Sequence, residues 1–420
     1  MGGPAASLPD ASAPSAPGLD GKALRLIACC SLAYFLDGLI PVLMGPLAAP
    51  IGAALQLDRT EMGAVFSANL LGQCLGLFAV PLLARGKHHR AVILWMTLGF
   101  GLSQLLSTFA QDRETLLLSR FITGIFLGGA LPSGLAAVTQ GSPPARRGLA
   151  TMLLFTAYGL GSAVAGFLGG LFVAGDGWRS AFIVTGGACL LAAAVIWRWL
   201  EEPPVDEDAA VPVGAAPLAS SNTAILKPPL LAGTLLLWLL FFCALTIYYC
   251  LSSWLPTLLV DTGRSPQLAA NALGSYASGG VISGLLIGPL IDRYGARRVL
   301  GLFIGLSALL LPAIGLSIHR VPDALLLAML ASCGFFMLGA YGGSNVLLAG
   351  FYPAALRAVG VGWTKSVSRL GTVLPPFAIG YGLSHGIDAG TVVTLFAVPA
   401  LLMLAAVLLV RMRGDQPEAS

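Results

Sequence analysis

The sequence predicts an all-α polytopic membrane protein of twelve transmembrane helices in two six-helix halves. Three observations carry that expectation. Apolar residues make up 56% of the 420 positions, about 235 side chains, close to the roughly 240 that twelve spans of about 20 residues need. Charged residues reach only 10%, against roughly 25% in soluble domains, and mean hydropathy is +0.85. Finally, residues 201–229 form the one long hydrophilic stretch inside the chain, with six apolar segments on either side.

Residues 1–22 are rich in Pro, Ala and Ser and lack a basic region before an apolar run, so they read as a disordered tail rather than a signal peptide. The first bundle, 23–200, holds apolar spans near 24–48, 60–83, 91–111, 114–139, 148–174 and 178–200, each ended by a short polar cluster. Residues 201–229, with their Pro, Ala and acidic content, suit a flexible cytoplasmic linker. The second bundle, 230–412, holds spans near 230–259, 267–291, 297–318, 323–349, 357–382 and 388–411, and 413–420 form a short tail. A shift of 208 residues lays Pro81, Leu82, Arg85 and Arg90 on Pro289, Leu290, Arg293 and Arg298, in the second-to-third loop of each half. This is the position expected of two equivalent bundles related by an axis along the membrane normal.

Basic residues set the orientation. With the N-terminus cytoplasmic, the outer loops hold only Arg59, Arg113, Arg179, Arg264 and Arg320, a third of the Lys and Arg on the inner side. Both termini are therefore expected in the cytoplasm. The net charge of +4 is scattered, which excludes a basic stripe for nucleic acid. Seven cysteines, an odd number within apolar runs, suggest neither a disulfide framework nor a metal site. All four histidines lie in loops, and no Ser-His-Asp set, His-Glu helix motif or phosphate loop is present. An enzyme is disfavoured, no cofactor is expected, and a monomer is anticipated.

Four charges fall inside spans: Asp37 in the first, Arg120 in the fourth, and Lys365 with Arg369 in the eleventh. Each costs about 2.5 to 3.5 kcal/mol at mid-span unless paired or hydrated. At about 1.5 Å rise per residue, Lys365 lies about 12 Å and Arg369 about 18 Å in from Arg357, and Asp37 about 20 Å in from Leu24. Lys365 and Arg369, four residues apart, share a helix face. Asp37 with Arg369 reads either as a salt bridge that holds two helices together or as a binding site. In the second reading one carboxylate against two cations leaves surplus positive charge for a substrate carboxylate. Arg120, with Gly124 and Gly128 stacked on its face, reads as an interhelical strut bonding backbone carbonyls, or as a further site residue.

Small residues line two faces, Ser162, Gly166 and Gly170 in the fifth span and Gly280, Gly284 and Gly288 in the eighth, as close helix packing requires. Pro41, Pro132, Pro256, Pro375 and Pro376 free backbone carbonyls within spans. Tyr34, Tyr248, Tyr341, Asn345 and Trp363 are polar or aromatic groups within spans, able to stack on or bond to a ring, or simply to pack.

The run from Gly288 through Asp292, Arg293, Gly295 and Arg297 to Arg298 resembles the cytoplasmic loop signature of the major facilitator superfamily. Asp37-Gly38, Arg120 to Gly124, Leu127 to Pro132, Ser253 to Asp261, Asn345, Phe351 to Pro353, Arg357 to Trp363 and Arg369 to Gly371 resemble the aromatic acid:proton symporter family within it. The similarity runs from about 24 to 411. It implies a proton-driven importer of aromatic carboxylates such as hydroxybenzoates, benzoate or hydroxyphenylpropionates, in a bacterial inner membrane. Ile40 stands where that family has a second Asp, Ala84 where it has a loop acid, Gln140 where it has Glu, and Lys365 where a small residue is usual. Each departure removes a proton acceptor or makes the interior more positive.

The expected mechanism has Asp37 and the substrate carboxylate compete for Arg369 and Lys365, so that a displaced Asp37 takes a proton. The Asp292 to Arg298 loop would latch the cytoplasmic side during alternating access. Competing expectations are a facilitator or exporter of another organic anion, and a non-transporting receptor for small acids.

Overall fold

The structure, a computed structural model, describes residues 20–83, 89–143, 146–173, 177–201 and 222–410. Both terminal tails, most of the 201–229 linker, Ala84 and Arg85 lie outside these residues. In the first half the helices are α1 (Gly21–Leu55), α2 (Arg59–Leu83), α3 (His89–Leu106), α4 (Arg113–Gln140), α5 (Arg147–Gly169) and α6 (Gly177–Trp199). In the second they are α7 (Leu231–Asp261), α8 (Pro266–Tyr294), α9 (Ala296–Ser317), α10 (Asp323–Phe351), α11 (Ala354–Ser368), α12 (Leu370–Ser384), α13 (Ala389–Leu395) and α14 (Ala397–Leu409). Among the described residues, eleven helical segments are long and apolar enough to cross a membrane, with α13 and α14 counted as one. The pair α11 and α12, parted only at Arg369, supplies the twelfth span.

Helix ends follow local chemistry. Asp20 caps α1 by accepting from the Ala23 N–H at 2.7 Å, and Asp112 forms a capping box with Thr115 at the start of α4. The α8-to-α9 turn passes through Gly295 at φ +86°, a backbone region that disfavours a side chain. The interruption between α13 and α14 sits one turn before Pro399, which has no N–H to give the Leu395 carbonyl.

The two halves repeat one packing scheme. α2 lies along α4 as α8 lies along α10, α3 along α6 as α9 lies along α13 and α14, and the halves meet through α5 with α8 and α12 with α2. Both inter-half pairs follow from one pseudo-twofold axis along the bundle. α1 and α5 touch backbone to backbone: a Cβ at Gly38 would strike the Tyr158 carbonyl. The eighth span departs from the predicted stripe. Gly280 meets Leu338, but Gly284 and Gly288 face open space, and it is Gly279 that brings α8 onto the Ala331 backbone of α10.

The halves are joined unevenly along the bundle axis. At the end away from the termini, Arg59 pairs with Asp261 at 2.5 Å, and the Thr60 N–H and Oγ1 reach Ser384 Oγ at 3.1 and 3.0 Å. Nearer the middle, Ser67 Oγ donates to the Val373 carbonyl at 2.7 Å. Among the described residues, no hydrogen bond or ion pair joins the halves closer to the termini than the level of Tyr158, Ser162 and Tyr248.

Candidate functional site

At that level Asp37, on α1, is 2% exposed, and its Oδ2 has no hydrogen-bond partner. Four residues on, Pro41 brings no N–H to the Asp37 carbonyl. Opposite stands Arg369 at the junction of α11 and α12, the charge that acts electrostatically on Asp37. Among the described residues the two form no salt bridge within 4 Å.

Arg369 is half-buried among side chains from four other helices. Its Nη1 is 3.5 Å from Tyr249 Oη, and Tyr341, Cys74 and Tyr158 also lie within its field. Its helix is held by carbonyls that the two prolines influence. Pro375 leaves the Gly371 carbonyl free, and Thr246 Oγ1 donates to it at 3.1 Å; Trp254 Nε1 donates to the Pro376 carbonyl at 2.9 Å. These bonds fix the segment below Arg369 to α7.

One turn from Arg369, Lys365 Nζ donates to Asn345 Oδ1 at 2.6 Å and lies 4.1 Å from the Phe241 ring centroid and 5.4 Å from that of Tyr341. The Asn345 amide donates to the Gly342 carbonyl at 2.9 Å, which turns its oxygen toward the lysine. An ammonium against aromatic faces is favoured electrostatically, by roughly 0.5 to 2 kcal/mol.

Aromatic walls complete the site. Tyr248 and Tyr249 sit edge to face at 4.9 Å, and Tyr248 Oη lies 3.4 Å from both Tyr158 Oη and Ser162 Oγ. Ser162 Oγ in turn reaches the Gly38 carbonyl at 3.2 Å, beside Asp37. The site thus draws on α1, α2, α5, α7, α10 and α11 and offers one carboxylate, two cations and several ring faces.

The structure brings together Asp37, Arg369, Lys365, Tyr248, Tyr341 and Asn345 from the predicted set. Tyr34 instead turns into the first half, donating to the Leu131 carbonyl and resting edge-on against Phe155. Trp363 stacks on Trp238 at 6.0 Å between α11 and α7. Arg120 is fully buried; it binds Gln104 Oε1 at 2.8 Å and Ser107 Oγ, with its guanidinium 4.8 Å from the Phe182 ring. Its partners are therefore side chains of the α3 segment rather than the backbone carbonyls expected. Tyr158, Tyr249 and Phe241 were not singled out in the sequence; the adjacent Tyr248 and Tyr249 pair was the available signal.

The loop signature is in an open setting. Asp292, Arg293 and Arg298 are exposed, Arg293 lies against the Tyr294 ring, and Arg297 donates to the Val410 carbonyl within its own half. Of the family departures, Ile40 is fully buried, and Gln140 Oε1 lies 3.2 Å from His89 Nε2.

Two related helical bundles around a charged, tyrosine-lined site between them define a membrane transporter. The chain belongs to the Major Facilitator Superfamily, whose sequence profile matches residues 30–265 and 237–420. It is 32% identical to the 4-hydroxybenzoate transporter PcaK of Pseudomonas putida, over 91% of each chain. It is likewise 32% identical to the 3-(3-hydroxy-phenyl)propionate transporter of Escherichia coli (strain K12), over 91% of this chain and 92% of that one. In fold it is similar to a D-xylose-proton symporter, with a TM-score of 0.73 at 14% identity over 95% of this chain and 99% of that one. The superfamily consists of transporters, so the chain is not an enzyme.

Proposed function

We propose that this protein imports an aromatic carboxylate together with a proton by alternating access, in a bacterial inner membrane with both termini cytoplasmic. The observation that carries the reading is Asp37: a buried carboxylate with an unpartnered oxygen, within the electrostatic reach of Arg369 and Tyr158. Aromatic-acid transport by the relatives supports the ring-bearing substrate.

The geometry supports competition. In the empty site the Asp37 and Arg369 charges attract each other. A substrate carboxylate reaching Arg369 screens that attraction, and a buried carboxylate that loses its partner favours the protonated form. Substrate and proton then share one occupied state, while the ring packs among Tyr158, Tyr248, Tyr249 and Tyr341. With cytoplasmic termini, the Arg59–Asp261 and Thr60–Ser384 contacts close the outer side, and the site opens inward. The Asp292 to Arg298 loop, exposed in this state, latches the cytoplasmic side when the halves rock.

In proteoliposomes, Asp37→Asn keeps exchange of labelled 4-hydroxybenzoate but loses accumulation driven by a pH gradient. Unchanged accumulation removes Asp37 from coupling. A second reading, an uncoupled facilitator, is favoured by the neutral Ile40 and Gln140; wild-type uptake indifferent to a protonophore selects it.

A further inference from the structure

We infer that the site selects an aromatic substrate bearing two carboxylates on one ring, with Arg369 taking one and Lys365 the other. This rests on the transport reading above and deepens it.

The first argument is charge. Asp37 is the one acidic side chain within the span interiors, and Arg120 has its own neutral partners in Gln104 and Ser107, away from Lys365. Asp37 acts on Arg369, and Lys365, one turn away, has only the neutral Asn345 and the rings of Phe241 and Tyr341 as partners among the described residues. Once a substrate displaces Asp37 and Asp37 takes a proton, a monocarboxylate leaves the pair with one uncompensated positive charge. A dicarboxylate leaves none. At half-buried positions such as those of Lys365 and Arg369 an unmatched charge costs more than the same charge in open water.

The second argument is hydrogen-bonding capacity. A Lys and an Arg carry eight N–H donors between them. Among the described residues these meet two side-chain acceptors, Asn345 Oδ1 and Tyr249 Oη. Two carboxylates offer four oxygens, whereas a ring hydroxyl brings one weak acceptor and a further donor.

The third is spacing. Residues one helical turn apart hold their Cβ atoms about 5 to 6 Å from each other. Asn345 and the Phe241 ring hold Lys365 Nζ, Arg369 Nη1 reaches Tyr249 Oη, and Tyr341 stands near both, so the two charged heads have separate partners on either side of one ring. A flat ring with acidic groups at opposite positions spans such a pair while its faces meet the tyrosines.

The experiment is counterflow in proteoliposomes of the full chain, with labelled benzene-1,4-dicarboxylate and labelled 4-hydroxybenzoate compared side by side. The expected result is exchange of both, with the dicarboxylate half-saturating at the lower concentration. Lys365→Met raises the dicarboxylate value at least tenfold more than the monocarboxylate value, and Lys365→Arg restores most of the difference. Wild-type exchange of the monocarboxylate alone, or an equal shift of both by Lys365→Met, overturns the inference and leaves the transport reading standing. Exchange of neither overturns both. If Lys365→Met fails to fold, the wild-type ratio of half-saturating concentrations decides, and a ratio favouring the monocarboxylate is the overturning result.

Discussion

Arg59 on α2 and Asp261 on α7 are joined by a 2.5 Å ion pair that crosses between the halves at the end farthest from the termini. Both side chains are about one third exposed, so the pair is worth about 0.2 to 1 kcal/mol. Arg59→Ala therefore raises the population open at that end by up to about fivefold. A cysteine placed at Ser384, the partner of Thr60, reports this as faster labelling by an impermeant maleimide.

On the proposed reading Arg369 anchors the substrate by its planar fork and not by charge alone. Arg369→Lys keeps the charge but loses paired donation to a carboxylate. The half-saturating concentration in counterflow rises about tenfold, equivalent to about 1.4 kcal/mol. Arg369→Ala abolishes exchange, because the site then holds Asp37 without its facing cation. Equal behaviour of the two variants contradicts an anchoring role.

Arg120 holds α4 to the α3 segment. Arg120→Met leaves Gln104 Oε1 without its cationic donor in a fully buried position, a loss of about 1 to 3 kcal/mol. The expected outcome is a lower thermal midpoint of the purified protein, followed by intrinsic fluorescence. A fall in exchange with an unchanged midpoint places Arg120 in the transport path instead.

Much of the fold was legible because each span is an apolar run bounded by polar residues. Helix rise alone puts Asp37 and Arg369 at matched depth, and in the structure Arg369 lies close enough to act electrostatically on Asp37. What a single sequence does not carry is the rotation of each helix about its axis. Tyr34 and Trp363 carry the same sequence signal as Tyr248 and Tyr341, yet they turn to Leu131 and Trp238. Gly279 rather than Gly280 makes the close approach of α8 to α10, and one residue turns a helix by about 100°. Tyr158 and Phe241 have no charge beside them to mark them, and only the fold, which sets α5 against α1 and α8 and α7 against α11, gives them a role.

Asp37 rides on one half and Arg369 on the other, so any tilt of one bundle against its mate stretches or shortens the line between a fixed negative and a fixed positive charge. At an effective dielectric near 20, unit charges roughly 8 Å apart attract by about 2 kcal/mol, and doubling the separation halves that. That attraction favours whichever posture brings the two groups closest, and on the proposed reading cargo that neutralises either end removes the preference.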